Sequence, residues 1–432
     1  MRLLQQWIVS AIALGFCAGD VGVLRAQVLG PEFQVNTYST YGQLYPAVAV
    51  AASGEFVIVW ENRDPTGADD NVYGQLYEAD GTPLGSEFLV NSYTSTYAAF
   101  PAVASLGSSG FVVVWTSNQQ DGSDTGVFGQ RFGWSGAPVG IEFQVNSHTT
   151  SYQRYPAVAA DAAGSFVVVW SSLHQDGSGN GVFGQRFDPS GAPSGPEFRA
   201  NVFTTGHQSS PAVAVDVSGR FLVAWQASDL SGSGVLGRAF LATGDPASGD
   251  LVLNAFTTGD QRSPSLAADG SGGFVAVWSS LAQDGDDSGI FGRMLGLSGQ
   301  PLAGDFPVNS FTLGTQSSPA VAASGSGGFV VSWESYLQDG SGAGVFGQRF
   351  AASGSRVGEE FQVNTFTTGW QNAQRVATDD GGNFVVTWVS DGQDGSYGGI
   401  FARRGTVRLF VDGFETGEVC SWSSTVGGGP CP

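Results

Sequence analysis

The sequence predicts an all-β fold, a seven-bladed β-propeller of four-stranded antiparallel blades closed by its N-terminal strand, and three observations carry that expectation. First, a run opening in Phe and ending in Trp recurs seven times: Phe56 to Trp60, Phe111 to Trp115, Phe166 to Trp170, Phe221 to Trp225, Phe274 to Trp278, Phe329 to Trp333 and Phe384 to Trp388. The tryptophans fall 55, 55, 55, 53, 55 and 55 residues apart, so one supersecondary unit is stacked on copies of itself. Second, these runs are apolar at every position, as burial on both faces of a strand requires. Third, no 3.6-residue periodicity appears anywhere, which excludes a helical solenoid.

The elements follow in order. Residues 1–26 read as a signal peptide: Arg2 precedes the apolar stretch from Trp7 to Ala18, long enough for a leader core and too short for a membrane span. Cleavage is expected near Ala26 or after Gly19. Phe16 stands before Cys17 where a lipoprotein leader wants a small residue, which favours ordinary secretion over lipid attachment. Residues 27–405 form the blades. In the third copy the strands are Pro156 to Asp161, Phe166 to Trp170, Gly181 to Phe187 and Glu197 to Asn201, separated by Gly- and Pro-rich turns. Residues 406–432 form a tail in which Cys420 and Cys431, the two cysteines left after export, are expected to pair. Closing so short a loop restrains the tail by roughly 2–3 kcal/mol.

Ring closure follows from copy number. The fourth-strand asparagine recurs at Asn36, Asn91, Asn146, Asn201, Asn254, Asn309 and Asn364, and its first copy precedes the first tryptophan run. Nothing like Phe-Gln-Val-Asn follows the seventh. Phe33 to Asn36 is therefore expected to complete the last blade and leave no open edge. The competing choice for that strand is Val407 to Val411.

Two long connections per blade open on the same face, from second to third strand and from fourth strand to the next blade, and long loops on a rigid scaffold are the usual place for a site. There a Gln-Asp-Gly triplet recurs with Gln120 and Asp121, Gln175 and Asp176, Gln283 and Asp284, Gln338 and Asp339, and Gln393 and Asp394. These ten residues are the candidate ligand-binding set. Asp-Gly is also turn chemistry, the carboxylate capping backbone N–H groups while Gly takes a positive φ. The competing reading is Ca²⁺, which takes six to eight oxygens, with Asp121, Asp124, Asp284, Asp286 and Asp287 as candidate metal ligands. Neither an EF-hand pattern nor a Gly-Gly-x-Gly-x-Asp nonapeptide supports that spacing.

Gln43, Gln153, Gln208, Gln261, Gln316 and Gln371 recur three positions before the opening of the first strand, with Ala98 the exception, and read as glutamines that fix loops to backbone. Arg131, Arg186 and Arg349 are expected to pair with neighbouring acids, a carboxylated sugar being the sharper alternative.

All 17 basic residues are arginine, and 38 acidic residues leave a formal charge of −21 with a pI near 4.2. Such a balance disfavours a nucleic-acid partner, since phosphate neutralisation needs basic patches. It suits a solute outside the cell.

The run Val167-Val168-Val169-Trp170-Ser171-Ser172, then Gln175-Asp176-Gly177-Ser178, then Gly181-Val182-Phe183-Gly184-Gln185-Arg186-Phe187, resembles repeats of large secreted bacterial proteins, some of them described as adhesin-like or calcium-binding. That resemblance covers nearly all of the mature chain and implies a propeller that binds outside the cell. Separately, Phe410-Val411-Asp412-Gly413-Phe414-Glu415-Thr416-Gly417 with Trp422-Ser423 looks like a short C-terminal segment of exported bacterial proteins, which implies a sorting or secretion tail.

Catalytic groups should be residues that break the repeat, and these are Glu61, Glu334, His148, His174 and His207. Paired carboxylates about 5–10 Å apart could run glycoside chemistry. However, the Ser-x-Asp-x-Gly-x-Thr-Trp box of sialidase-type propellers is missing, the histidines lack ligand spacing, and no nucleophile motif appears. No catalytic residue is assigned. The expectation is an exported, non-catalytic binding or adhesion module, a monomeric ring without a transmembrane segment in the mature chain, whose repeated loops engage an extracellular glycan or protein, with Ca²⁺ as the cofactor the acidic loops suit. The alternatives are a carbohydrate-active enzyme, hydrolase or lyase, and a structural envelope protein.

Overall fold

The computed structural model describes residues 25–64, 70–228 and 232–409. The expected leader, its cleavage site and lipid option up to residue 24, the tail from residue 410 and the Cys420–Cys431 pair lie outside the described residues. Val28–Thr406 forms one compact unit; a second, Met1–Gln27 with Val407–Pro432, is described only at residues 25–27 and 407–409.

The described chain folds into seven four-stranded antiparallel sheets, joined in sequence order, and its lone helical turn is Gly107–Ser109. The innermost strands are Gly42–Val50, Ala98–Ser105, Gln153–Ala160, Gln208–Val215, Gln261–Ala268, Gln316–Ala323 and Gln371–Thr378. The Phe-to-Trp runs form the second strands, which extend two or three residues past the tryptophan, as in Phe166–Leu173 and Phe384–Ser390. All seven tryptophans are at most 2% exposed, packed between adjacent sheets. Valine suits this place because a β-branched side chain fills a doubly covered pleat with little rotamer entropy to lose.

Five of the seven junctions between blades carry a three-ring cluster; Leu251 and Leu295 flank Phe274 at the junction of blades four and five, and Phe361 meets Phe384 alone at that of blades six and seven. Phe166 stacks on Phe187 within blade three at 4.7 Å, and Phe143 of blade two tilts over that pair at 5.3 Å from Phe187. Such geometry contributes beyond the area buried. In blade seven Gly405 replaces the third-strand aromatic because Phe384 lies over it: a Cβ there would meet the Phe384 ring at 2.1 Å.

Closure is as the copy count predicts. The seventh sheet runs Arg25–Gln34, Gly399–Leu409, Phe384–Ser390, Gln371–Thr378, so the first strand of the described residues is the outermost of the last blade. Residues 407–409 of the rival segment belong to the third strand instead. The expected fourth strand Glu197 to Asn201 is shorter, pairing over Phe198–Arg199 only; Leu251–Val252 and Phe306–Pro307 are equally short. Brief outer strands, one ending in proline, leave little edge for another chain to pair with.

Candidate functional site

Every first strand carries the same irregularity. Leu44 pairs with Glu61 and Ala47 with Val59, so Tyr45 and Pro46 together oppose Trp60: a β-bulge, repeated in all seven blades. The first bulge residue takes a left-handed backbone at Tyr45, Phe100, Tyr155, Ser210, Ser263, Ser318 and Ala373, with φ between 49° and 56°. An aromatic residue at such an angle is strained by about 1–3 kcal/mol and persists because the surrounding sheet fixes it. The proline that follows in six blades has no N–H to give to the ladder, which a bulge tolerates.

These seven residues line a central cavity of about 830 Å³ among the innermost strands. They sit two positions inside the strand starts that face the long loops, so they form the mouth of the funnel on that side. The mouth is not symmetric. Tyr45, Phe100 and Tyr155 form a continuous aromatic arc over blades one to three, with ring centroids 4.7 Å apart at both steps. Ser210, Ser263 and Ser318 put hydroxyls on blades four to six, and Ala373 leaves blade seven open. Tyr45 and Tyr155 are 38% and 46% exposed, enough to meet a ligand.

Glu61 and Glu334, the two repeat-breaking carboxylates, lie one strand behind this mouth and do the same job at different junctions. Glu334 accepts the N–H of Ala373 in the next blade at 2.7 Å and Ser317 Oγ at 3.4 Å; Glu61 accepts the N–H of Phe100 at 3.3 Å and pairs with Arg63 at 2.8 Å. Burial pushes both carboxyls above the usual glutamate range, against the lowering pull of Arg63 on Glu61 and of the Ala373 N–H on Glu334. Glu334 also lines the cavity, and with it Arg375, a residue sequence reasoning missed. Its signal lay in aligned copies: that position reads Ala47, Ala102, Ala157, Ala212, Ser265, Ala320, Arg375.

The loop residues singled out in sequence surround the mouth and bond to their neighbours. Gln120, Gln175, Gln283, Gln338 and Gln393 donate to Glu142, Glu197, Asp305, Glu360 and Glu32. The same acids accept backbone N–H groups of the preceding blade; Glu197, for example, takes Ser147 N–H at 2.6 Å and its Oγ at 2.9 Å. Asp121, Asp176, Asp284, Asp339 and Asp394 each accept the N–H two residues on, at 3.0 to 3.3 Å. Their carboxylates fold back over the glycine that opens the third strand: a Cβ on Gly181 would meet Asp176 at 2.6 Å. Asp286 accepts Gly314 N–H at 2.9 Å, and Asp287 the Thr315 hydroxyl. The backbone carbonyl of Asp124 accepts Gln119 N–H at 2.8 Å. Among the described residues no three His, Cys, Asp or Glu side chains gather to hold a metal ion.

The glutamines, which stand at the starts of the first strands, behave as read: Gln153 Nε2 donates to Thr150 O at 2.9 Å and its Oε1 accepts from Asn146 at 3.4 Å. Two of the third-strand arginines depart from the expected pairing with acids, whereas Arg293 lies 3.7 Å from Asp305. Arg131 and Arg186 donate to backbone carbonyls of the next blade, Pro189 O at 2.8 Å and Ala242 O at 2.6 Å, with Asp245 acting on Arg186 only through space. A planar fork reaches the unpaired carbonyls of a tight turn as readily as it reaches a carboxylate. The histidines stay apart in function: His174 Nδ1 contacts Ser178 O at 2.5 Å, His207 Nδ1 accepts Asn180 N–H at 3.2 Å, and the carbonyl of His148 accepts from Asn146 at 2.9 Å.

No model of a known protein family matches the chain, and no curated protein does. Solved structures do match in fold. A protein of unknown function from Dyadobacter fermentans DSM 18053 superposes with a TM-score of 0.54 at 8% identity, over 88% of this chain and 99% of that one. An ulvan lyase of polysaccharide lyase family PL25 gives 0.54 at 10%, over 86% and 95%. A fungal alcohol oxidase of the AA5 family, in complex with copper, gives 0.51 at 12%, over 88% and 76%. At these identities the likeness establishes a β-propeller scaffold and nothing finer. Among the described residues no helix is long and apolar enough to cross a membrane.

Proposed function

We propose that the protein is an exported carbohydrate-binding propeller that takes its ligand at the long-loop mouth of the axial funnel. The observation that carries this is the asymmetric mouth: an aromatic arc of Tyr45, Phe100 and Tyr155 faces three serine hydroxyls across a cavity of about 830 Å³. A sugar ring has one face of weakly positive C–H groups, which pack on aromatic faces, and a rim of hydroxyls, which need donors and acceptors. The volume lies in the range of small-ligand sites. Strain held at the bulge residues supports the same reading, since backbone strain gathers where a side chain must be aimed. The loop residues Gln120 to Asp394 then support the mouth and contact whatever extends from it. Binding of the purified chain to a glycan array tests this, with Tyr45→Ala and Tyr155→Ala expected to lose the signal; retention by both would reject the site.

A second reading is cleavage of the bound chain, favoured by Glu334, a half-buried carboxyl raised by burial and exposed to the funnel. New reducing ends or an unsaturated sugar terminus, absent with Glu334→Gln, would convert the binder into an enzyme.

A further inference from the structure

The seventh blade departs from the other six at three successive positions of its bulge. Six blades carry an aromatic residue or serine, then proline, then alanine or serine; blade seven carries Ala373, Gln374 and Arg375. Gln374 is fully buried and its Nε2 donates to Ser318 O and, at 3.3 Å, to Ser332 O, so it ties this strand to blade six in place of the proline. The substitution of a small side chain by arginine is thus built in, with its own support.

Arg375 is the only cation lining the funnel among the described residues. Its side chain is exposed along the channel that the seven blades surround. Its Nη1 donates to Gln374 O at 2.8 Å. Glu334 acts on it through space without forming an ion pair, because the Glu334 carboxylate is held by Ala373 N–H and Ser317 Oγ. The remaining guanidinium donors face a channel otherwise lined by alanine, valine, leucine, proline and serine with the aromatic arc, Asn372 and the Glu334 carboxyl. When a ligand displaces water from the guanidinium, an anion offsets that loss and a neutral ligand does not. The planar fork matches a carboxylate through two parallel hydrogen bonds. Blade seven adjoins blade one, so the cation stands at the Tyr45 end of the aromatic arc.

We propose that the funnel takes an acidic polysaccharide, a chain of uronate sugars, with Arg375 receiving a sugar carboxylate beside a ring stacked on the arc. This rests on the carbohydrate-binding reading above. A formal charge of −21 repels polyanions from the rest of the surface, which leaves the funnel to supply the recognition.

The experiment measures binding of the mature chain to a polyuronate, to the same polymer after reduction of its carboxyls to alcohols, and to a sulfated neutral glucan. The expected result is binding of the polyuronate about ten-fold or more tighter than the reduced polymer, a preference that Arg375→Gln abolishes and Arg375→Lys partly retains. Tyr155→Ala is expected to weaken both polymers alike. Binding of neither polymer would sink the carbohydrate reading itself. Equal binding of both, parent-like preference in Arg375→Gln at an unchanged melting temperature, or a preference for the sulfated glucan would overturn the uronate assignment and leave the carbohydrate reading standing.

Discussion

Asn36 Oδ1 accepts the backbone N–H of Ile400 at 2.6 Å, joining residues 364 apart in sequence. Asn36 Nδ2 also donates to Gln43 Oε1 at 3.2 Å, and Gln43 Nε2 to Thr40 O at 3.0 Å. In the middle of the chain Asn201 makes the same bonds to Val182 N–H and Gln208, at 2.8 and 3.3 Å. The closing junction is therefore chemically a copy of the internal ones, down to the acid that spans it, Glu32 on Thr365 N–H at 2.6 Å. Asn36→Ala leaves the Ile400 N–H buried without an acceptor and is expected to cost about 1–3 kcal/mol in denaturant unfolding. Removing residues 28–36 exposes a strand edge and should lower the melting temperature further; no change in either would reject this closure.

Trp170 is wholly buried between blades two and three, against Val112, Val114 and Val145. Trp170→Ala is expected to destabilise by about 3–5 kcal/mol through the cavity it leaves. Trp370, 46% exposed against Tyr336, supplies the contrast: its replacement by Ala should stay within about 0.5 kcal/mol. Equal effects at the two sites would contradict the blade packing.

Much of the fold is legible in the sequence because burial on both faces writes a continuous apolar run, and seven such runs at one spacing leave few architectures. The position of Asn36 ahead of the first run even discloses how the ring closes. The site is less legible for a physical reason: regularity draws attention to Asp176 and Gln175, whose ties recur in five of the seven blades. Arg375 and the arc from Tyr45 to Tyr155 differ between copies, and a repeat read for its consensus hides them. The partners of Arg131 and Arg186 were unreadable for another reason, since a backbone carbonyl has no side-chain signature.

Glu197 holds Ser147 N–H, Ser147 Oγ and Gln175 Nε2 together across one junction. Glu197→Ala is expected to lower stability by about 1–3 kcal/mol. Asp176→Asn keeps an oxygen for Ser178 N–H but turns an amide NH2 towards Asn201 Nδ2, which donates to the other Asp176 oxygen at 3.1 Å, so it should cost less than Glu197→Ala, and a calcium chelator should shift neither midpoint. A calcium-dependent midpoint in the parent that Asp176→Asn removes would instead make this aspartate a metal ligand.

Glu334 titrates above its ordinary value near 4.5 in the folded chain, because burial penalises the charged form. A raised folded value means that its favourable share of stability is complete below about pH 4.5 and is lost as pH climbs through the folded value. Glu334→Gln removes that dependence. The variant is expected to gain on the parent as pH rises from acid to neutral, read as the difference between their unfolding free energies. A difference flat with pH would show that the Ala373 N–H and Ser317 hydroxyl compensate burial fully.

Tyr155 combines exposure with a left-handed backbone, φ 56°, a conformation that glycine adopts without strain. Two terms oppose one another in Tyr155→Gly: relief of the bulge strain stabilises the fold, while added freedom of the unfolded chain and loss of the contact with Phe100 at 4.7 Å destabilise it. They are of similar size, so the variant is expected to lie within about 1 kcal/mol of the parent. Carbohydrate binding should nevertheless be lost, since the sugar-facing ring is gone. Tyr155→Phe keeps the ring and should bind. If Tyr155→Gly binds as the parent does, the aromatic arc serves the channel wall alone; if it unfolds at a much lower temperature, the ring is there for stability and the strain has another origin.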